Sequence, residues 1–267
     1  MKALTLTKHH GLGNDFLVVF HPGVEDLPGL ARRVCHRRRG IGADGLLVGE
    51  SAPDVAARMV LFNADGSRAE MSGNGIRCFA QALAARRGDL TTQRILTDAG
   101  VRVVELADTE HPQTLLASVD MGQLDVIAPP SAWDDLGVHP DRPVVHVSVG
   151  NPHSVVGVDD VEAVDLLDLG RRMPDVNLEV IEPGPGPSAV TMRVHERGAG
   201  ITEACGTGAV AAAWAAARWG LADPRDGKLV VHMDGGSAIV ALDRPEPGRA
   251  TLTGPATYVA TIEILQR

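Results

Sequence analysis

Two short loops of this sequence combine a small nucleophilic side chain with glycines, at 72–75 (SGNG) and at 205–208 (CGTG). Each loop directly precedes a stretch typical of a helix. The N–H groups at a helix N-terminus and the positive end of the helix dipole favour an anion. The thiol of Cys205 should therefore have a lowered pKa and a larger thiolate fraction. The same N–H groups can bind a carboxylate, so the loops predict an anion site with a base beside it.

The two loops belong to an internal repeat. Ser72 and Cys205 are separated by about half of the chain, and the Gly-Asn pairs at 13–14 and 150–151 are separated by nearly the same distance. Such self-similarity indicates duplication. We expect two similar domains, each contributing one loop and helix to a shared cleft. Two groups on opposite faces of an α-carbon are what stereochemical inversion requires. The alternatives are chance recurrence of Gly-x-Gly and an inert buried cysteine.

The elements around the loops are read from hydrophobic periodicity. A helix is predicted from residue 73 to Gly88, with an apolar stripe that begins at Ile76. The second helix, from Gly206 to about Trp219, is apolar nearly all round, which is typical of a helix buried on every side. Runs rich in Val, Ile, Leu and Thr predict strands at 12–20, 57–62, 102–106, 115–121, 144–149, 190–195, 229–233, 238–242 and 257–265. We expect a curved sheet wrapped around a helix, twice over.

Composition excludes several classes of protein. The formal net charge of -9 argues against a nucleic-acid partner, which needs a basic face. No apolar run is long enough to span a bilayer, and residues 1–10 lack the apolar core of a signal peptide. The wide spacing of Cys35, Cys78 and Cys205 suits reduced thiols in a cytoplasm. Neither the cysteines nor the histidines show the spacing of a metal site.

Taken together, the landmarks resemble a known family. They are GLGNDF at 11–16, FNADGS at 62–67, GNG at 73–75, GNPH at 150–153, ERGAG at 196–200 and CGTG at 205–208. In this order they resemble diaminopimelate epimerase over nearly the whole chain. The resemblance implies an α+β fold of two pseudo-symmetric domains, each a β-barrel-like curved sheet around a central helix, with the site between them.

The resemblance also implies the chemistry. The expected activity interconverts LL- and meso-2,6-diaminopimelate, in lysine and peptidoglycan precursor biosynthesis, without pyridoxal phosphate or metal. The expected protein is a cytoplasmic homodimer with a small-molecule substrate and no membrane or nucleic-acid partner. We place the N-terminal domain at 1–117, completed by the C-terminal strand 257–267, and the C-terminal domain at 118–256.

Site residues follow from the matched motifs. Cys205 matches one catalytic thiol, and His153 and Glu196 match residues that tune the thiols and the α-amino group. The residues that match the substrate contacts are Asn14, Asn63, Gly73, Asn74, Asn151, Asn177, Glu196, Arg197, Gly206 and Thr207. Of these, the glycines with Asn74 and Thr207 match the site of the reacting α-carboxylate. The others match contacts chiefly to the distal end of the substrate.

Ser72 stands where the family has its second catalytic cysteine. A thiol has a reference pKa near 8.5, whereas an alcohol is far less acidic and is a poor base. Cys205 is expected to exchange the proton of one stereoisomer while inversion is slowed. Three explanations stay open: an engineered change from cysteine, a natural Ser/Cys enzyme for this or a related substrate, and a binding pseudoenzyme. A histidine racemase or another isomerase of the same fold is the related alternative.

Overall fold

The computed structural model describes residues 3–265 and divides into two compact units. The first unit takes in the chain up to Val119 and again from Gly254, and the second takes in Asp120–Thr253. The divisions predicted after residues 117 and 256 lie close to these. All of them fall inside long strands rather than in linkers, which is why composition does not mark them.

Strands are the main secondary structure of the chain, with a few helices between them. As far as residue 123 the elements are β1 (Ala3–Gly11), β2 (Asn14–Phe20), α1 (Leu27–Cys35), β3 (Gly45–Glu50), β4 (Ala57–Asn63), β5 (Arg68–Ala69), α2 (Gly73–Arg87), β6 (Gln93–Thr97), β7 (Gly100–Asp108) and β8 (Thr114–Gln123). The remaining elements are β9 (Asp125–Val126), a 3-10 helix (Trp133–Leu136), β10 (Val144–Ser148), β11 (Pro152–Gly157), α3 (Leu166–Arg171), β12 (Asn177–Pro183), β13 (Ala189–Glu196), β14 (Gly200–Thr202), α4 (Gly206–Trp219), β15 (Lys228–Met233), β16 (Gly236–Leu242) and β17 (Arg249–Leu265).

The strands of the first unit close into a barrel. Following hydrogen-bonded neighbours, the order is β1-β2-β3-β4-β6-β7-β8-β17, and β17 pairs again with β1. The pairs β2–β3 and β4–β6 are parallel. A parallel pair needs a crossover connection, and α1 and α2 lie in these two connections.

The second unit repeats this pairing pattern. Its order is β10-β11-β12-β13-β15-β16-β17, with β11–β12 and β13–β15 parallel and the other neighbours antiparallel. Here α3 and α4 lie in the parallel crossovers. Two stretches of chain therefore follow one topology, which confirms the predicted fold of duplicated curved sheets around helices.

The helices α2 and α4 form the centres of their units. α2 contacts β1, β2, β3, β4 and β7, while α4 contacts β10, β11, β12, β13, β15 and β16. Alanines along α4, such as Ala211, Ala212 and Ala215, have no exposed surface. Their short side chains let strands approach from every side. α4 has 14 residues, and within residues 3–265 no helix is both long and apolar enough to span a bilayer.

The strand predicted at 12–20 is wrong at its start. Leu12 and Gly13 have φ of 56° and 84° and form the turn between β1 and β2, where Gly11 pairs with Asn14. A two-residue hairpin turn of type I′ requires positive φ at both of its central residues. Hydrophobic periodicity also failed to identify β1, β3, β6, β11 and β12, together with α1 and α3. Strands buried on both faces, such as β3, lack the polar alternation on which a strand prediction relies.

Candidate active site

In the first unit, Ser72 caps the N-terminus of α2. Its backbone is extended (φ -141°, ψ 123°), and its Oγ accepts a hydrogen bond of 3.0 Å from the N–H of Gly75. Serine is among the preferred residues at this position because its oxygen satisfies one of the helix's first N–H groups. The hydroxyl is thus both the helix cap and the side chain at the predicted catalytic position.

Two of the predicted substrate contacts meet beside this turn. Asn74 Nδ2 donates to Asn14 Oδ1 at 3.1 Å, and Asn14 Nδ2 donates to Asp44 Oδ2 at 2.7 Å. Asn74 is almost fully buried in the first turn of α2, and Asn14 begins β2. Asn63 lies at the end of β4, where its Nδ2 donates to Ser67 Oγ at 2.9 Å across a turn.

In the second unit, Cys205 caps α4 as Ser72 caps α2. Its backbone has φ -124° and ψ 116°, and its Sγ accepts a hydrogen bond of 3.4 Å from the N–H of Gly208. Thr207 Oγ1 lies 3.5 Å from the same sulfur. The two helices therefore begin with the same capping geometry, one built on oxygen and the other on sulfur.

The expectation of a lowered pKa at Cys205 is wrong. The pKa of this thiol is raised well above its ordinary value, first by burial and then by the negative charges of Glu196 and Glu179, while hydrogen bonds from Thr207 and the Gly208 N–H act in the opposite direction. The helix N-terminus favours a thiolate, but here desolvation disfavours the charged form more strongly. Burial and the two carboxylates therefore favour the protonated thiol of Cys205 over the thiolate.

His153 and Glu179 form a pair with no exposed surface. His153 Nδ1 lies 2.7 Å from Glu179 Oε1, and its Nε2 lies 3.0 Å from Asn151 Oδ1. Glu179 Oε1 also lies close to α4, because a Cβ on Gly208 would be only 2.7 Å from it. This contact requires glycine at position 208.

Glu179 was not predicted from the sequence. It lies in β12 two residues after Asn177, and alternation along a strand places both on one face. The sequence did contain a signal for Glu179, which is a carboxylate inside the otherwise apolar run of β12. A buried charge normally has a specific partner, so such a residue is a candidate for the site.

Asn177 begins β12, Glu196 ends the neighbouring strand β13, and Arg197 lies in the turn that follows β13. Asn177 Oδ1 accepts from the Arg197 N–H at 2.9 Å, and its Nδ2 donates to the carbonyl of Pro152 at 3.2 Å. Thr202 Oγ1 donates to Glu196 Oε1 at 2.5 Å. Burial raises the pKa of the Glu196 carboxyl, opposed by hydrogen bonds from Thr202 and Cys205. The second unit therefore brings Cys205, Glu196 and the His153–Glu179 pair into one electrostatic cluster.

This chemistry suits transfer of a proton at carbon. A thiol with a carboxylate beside it can give or take a proton, and the N–H groups of a helix start can hold a carboxylate. Within residues 3–265, no group of three or more His, Cys, Asp or Glu side chains is arranged to bind a metal ion. The duplicated fold, with a capping Ser or Cys on each central helix, defines an isomerase of the racemase and epimerase class.

Comparison with known proteins gives the particular family. The family model described as diaminopimelate epimerase matches residues 6–127 and 145–259. Diaminopimelate epimerase from Desulfitobacterium hafniense is 37% identical over 96% of both chains. That from Synechocystis is 39% identical over 96% of this chain and 97% of its own. The chain belongs to the diaminopimelate epimerase family.

Solved structures with the same fold are more distant in sequence. A Bacillus anthracis phenazine biosynthesis protein of the PhzF family has a TM-score of 0.77 and 16% identity, over 100% of both chains. A hydroxyproline epimerase from Agrobacterium vitis has a TM-score of 0.74 and 16% identity, over 98% of this chain and 92% of its own. At this identity the likeness establishes the fold.

Proposed function

We propose that this chain interconverts LL- and meso-2,6-diaminopimelate by removing and returning the α-proton, in lysine and peptidoglycan precursor synthesis. The observation that carries the proposal is membership of the epimerase family together with Cys205 at the N-cap of a buried helix. A proton on a carbon beside a carboxylate is weakly acidic. Its removal therefore requires at least a site that binds the carboxylate and an acid–base group next to that site.

Cys205 is proposed as one acid–base group. The thiol donates its proton to the substrate carbanion, and in the reverse direction the thiolate removes it. Glu196 and Glu179 set how readily the sulfur gives up its proton, because their negative charges raise the pKa of the thiol, and His153 holds Glu179 in place. The α-carboxylate is assigned to the helix starts, at Gly73 and Asn74 and at Gly206 and Thr207.

The distal end of the substrate is assigned to polar side chains named in the sequence. These are Asn14, Asn63, Asn151, Asn177, Glu196 and Arg197. A guanidinium binds a carboxylate through two parallel hydrogen bonds, and the exposed Arg197 is the residue of this set with that capacity. Retention of these groups favours diaminopimelate over a substrate with a single amino-acid group.

Ser72 is proposed as the second proton donor. Its hydroxyl can deliver a proton, but removal of a proton by the corresponding alkoxide is disfavoured because alcohols are weak acids. Inversion should therefore be slower than proton exchange at Cys205. A second candidate function rests on the same serine: a protein that binds diaminopimelate without inverting it.

A cytoplasmic homodimer is the proposed state of the protein. The location is supported by Cys35, Cys78 and Cys205, which are all free and buried, as expected for thiols in a reducing compartment. The dimer is proposed from the family resemblance.

The deciding experiment follows the α-proton signals of LL- and meso-diaminopimelate by NMR in D₂O with this protein. Exchange from both isomers with inversion would establish the epimerase. Exchange from one isomer without inversion would identify Cys205 as a working base with a failed partner at Ser72. Binding without any exchange would favour the non-catalytic function and would overturn the proposal.

A further inference from the structure

Arg77 lies inside the first unit with no exposed surface. Two residues without side chains make room for its guanidinium. A Cβ on Gly254 would lie 3.1 Å from its Cζ, and a Cβ on Gly11 would lie 3.1 Å from its Nη2. Its Nη1 has no hydrogen-bond partner within residues 3–265. A charge in such a place costs free energy through lost hydration unless it is compensated.

A chain of hydrogen bonds begins at this guanidinium. Arg77 Nη2 donates to Asn74 Oδ1 at 2.8 Å, and Asn74 Nδ2 donates to Asn14 Oδ1 at 3.1 Å. Asn14 Nδ2 then donates to Asp44 Oδ2 at 2.7 Å. The other carboxylate oxygen of Asp44 accepts from Arg37 at 2.7 Å, which holds the end of the chain in place.

The polarity of this chain is fixed at both ends. A guanidinium only donates hydrogen bonds and an ionised carboxylate only accepts them. The amide of an asparagine can present either its oxygen or its nitrogen to a neighbour, and its surroundings decide which. Because Arg77 must donate, Asn74 turns its oxygen inward and its nitrogen toward Asn14. Because Asp44 must accept, Asn14 turns its nitrogen toward that carboxylate.

We propose that Arg77 is a positioning residue that orients the amides of Asn74 and Asn14 for binding of the substrate. The proposal rests on the proposed function, in which these two asparagines contact diaminopimelate. Arg77 begins the second turn of α2, and its positive charge lies buried under the helix start assigned to the α-carboxylate. The charge of Arg77 therefore favours an anion at this helix start. The hydrogen bond that Arg77 donates fixes the orientation of the amides at the site.

The test is a double-mutant cycle on substrate binding. KM and kcat are measured for Arg77→Met, for Asn74→Ala and for the double variant, and Kd for LL-diaminopimelate is measured by calorimetry. Arg77→Met is expected to raise KM and Kd by about tenfold, the range for loss of a charged hydrogen bond, with a smaller change in kcat. The Kd of the double variant should be no higher than that of the single variant that binds less tightly, because Arg77 acts through Asn74. Additive losses, or an unchanged Kd, would overturn the proposal.

A second variant covers the case in which Arg77→Met does not fold. Gly254→Ala keeps the charge and displaces the guanidinium by the added methyl group, so it should raise KM in the same direction. Arg77→Lys, which keeps the charge without the planar fork, should fall between Arg77→Met and the unsubstituted chain. Arg87→Met, at the exposed end of α2, is the matched control and should leave KM unchanged.

Failure of this inference differs from failure of the proposed function. If the unsubstituted chain neither exchanges α-protons nor binds diaminopimelate, the proposed function fails. The inference is then tested on the side-chain amide signals of Asn74 and Asn14 in ¹⁵N NMR spectra. Arg77→Met should shift both sets of signals while Arg87→Met leaves them in place, and unshifted signals in Arg77→Met would overturn the role assigned to Arg77.

Discussion

Glu179 Oε1 lies 2.7 Å from His153 Nδ1, and neither side chain has any solvent exposure. The contact places the Nδ1 proton of His153 on the carboxylate side and directs Nε2 toward Asn151. The same carboxylate raises the pKa of Cys205. One buried charge thus influences both the imidazole and the thiol on which the proposed chemistry depends.

Glu179→Gln should move the pH profile of proton exchange at Cys205 to lower pH. The amide keeps the shape of the side chain and removes a negative charge that disfavours the thiolate. Less alkaline conditions would then suffice for deprotonation of Cys205. The measurement is the rate of α-proton washout in D₂O across a pH series. Glu162→Gln, at an exposed position, is the control, and an unmoved or higher midpoint in Glu179→Gln would contradict this role.

Cys205→Ala should abolish most of the exchange. A positioned acid–base group contributes about 10²–10⁴-fold to proton transfer, and the loss should fall in that range. Cys78→Ala, another buried thiol in the first unit, should keep the rate of the unsubstituted chain. Comparable losses in the two variants would show that Cys205 acts through packing alone.

Ser72→Cys should speed interconversion of the two stereoisomers. Sulfur at this position can cap α2 as Cys205 caps α4, and a thiol is far more acidic than an alcohol. The rate of meso-diaminopimelate formation from the LL isomer is the quantity to measure, with Ser51→Cys as an exposed thiol control. An unchanged rate would remove the explanation that this serine is an impaired thiol position.

Ser72→Ala should lower stability as well as inversion. The substitution removes the hydrogen bond to the Gly75 N–H, and loss of an N-cap side chain costs about 1 kcal/mol. Urea unfolding of both proteins measures this difference. Equal stabilities would mean that solvent replaces the cap at no cost.

Stability should fall as the pH is lowered through the histidine range. Burial lowers the pKa of His9, His146 and His195 below the ordinary value of 6.5. Below about pH 6.5 the unfolded chain therefore binds more protons than the folded chain does. The contribution of the three neutral, buried histidines to the free energy of unfolding is present above about pH 6.5 and is lost as the pH falls toward their folded-state pKa values. Urea unfolding at about pH 7.5 and 5.5 should show a smaller difference for His9→Gln than for the unsubstituted chain. His139→Gln, at an exposed side chain, should keep the full difference.

The duplication, both central helices and the two loops that begin them could be predicted from the sequence. These features are local: Gly-x-Gly after a capping residue starts a helix, and a run of alanines and apolar residues predicts burial. Helices predicted at 73 to Gly88 and at 206 to about Trp219 match α2 and α4 closely. Turns and strands buried on both faces were harder to predict. Leu12, in the turn between β1 and β2, and Val48, in β3, look like residues of any apolar segment.

The electrostatics of the site depend on the tertiary structure. Cys205 was expected to favour the thiolate because its own helix favours an anion, but Glu179 and Glu196 come from β12 and β13 and reverse that balance. Arg77 likewise reaches Asn74 and the carbonyl of Pro255, which are far apart in the chain. Charge interactions depend on distance in space and on lost hydration. Sequence spacing carries neither quantity, so Cys205 and Glu196 could be named as candidates from the sequence, whereas Glu179, Arg77 and the protonation and orientation of the site could not.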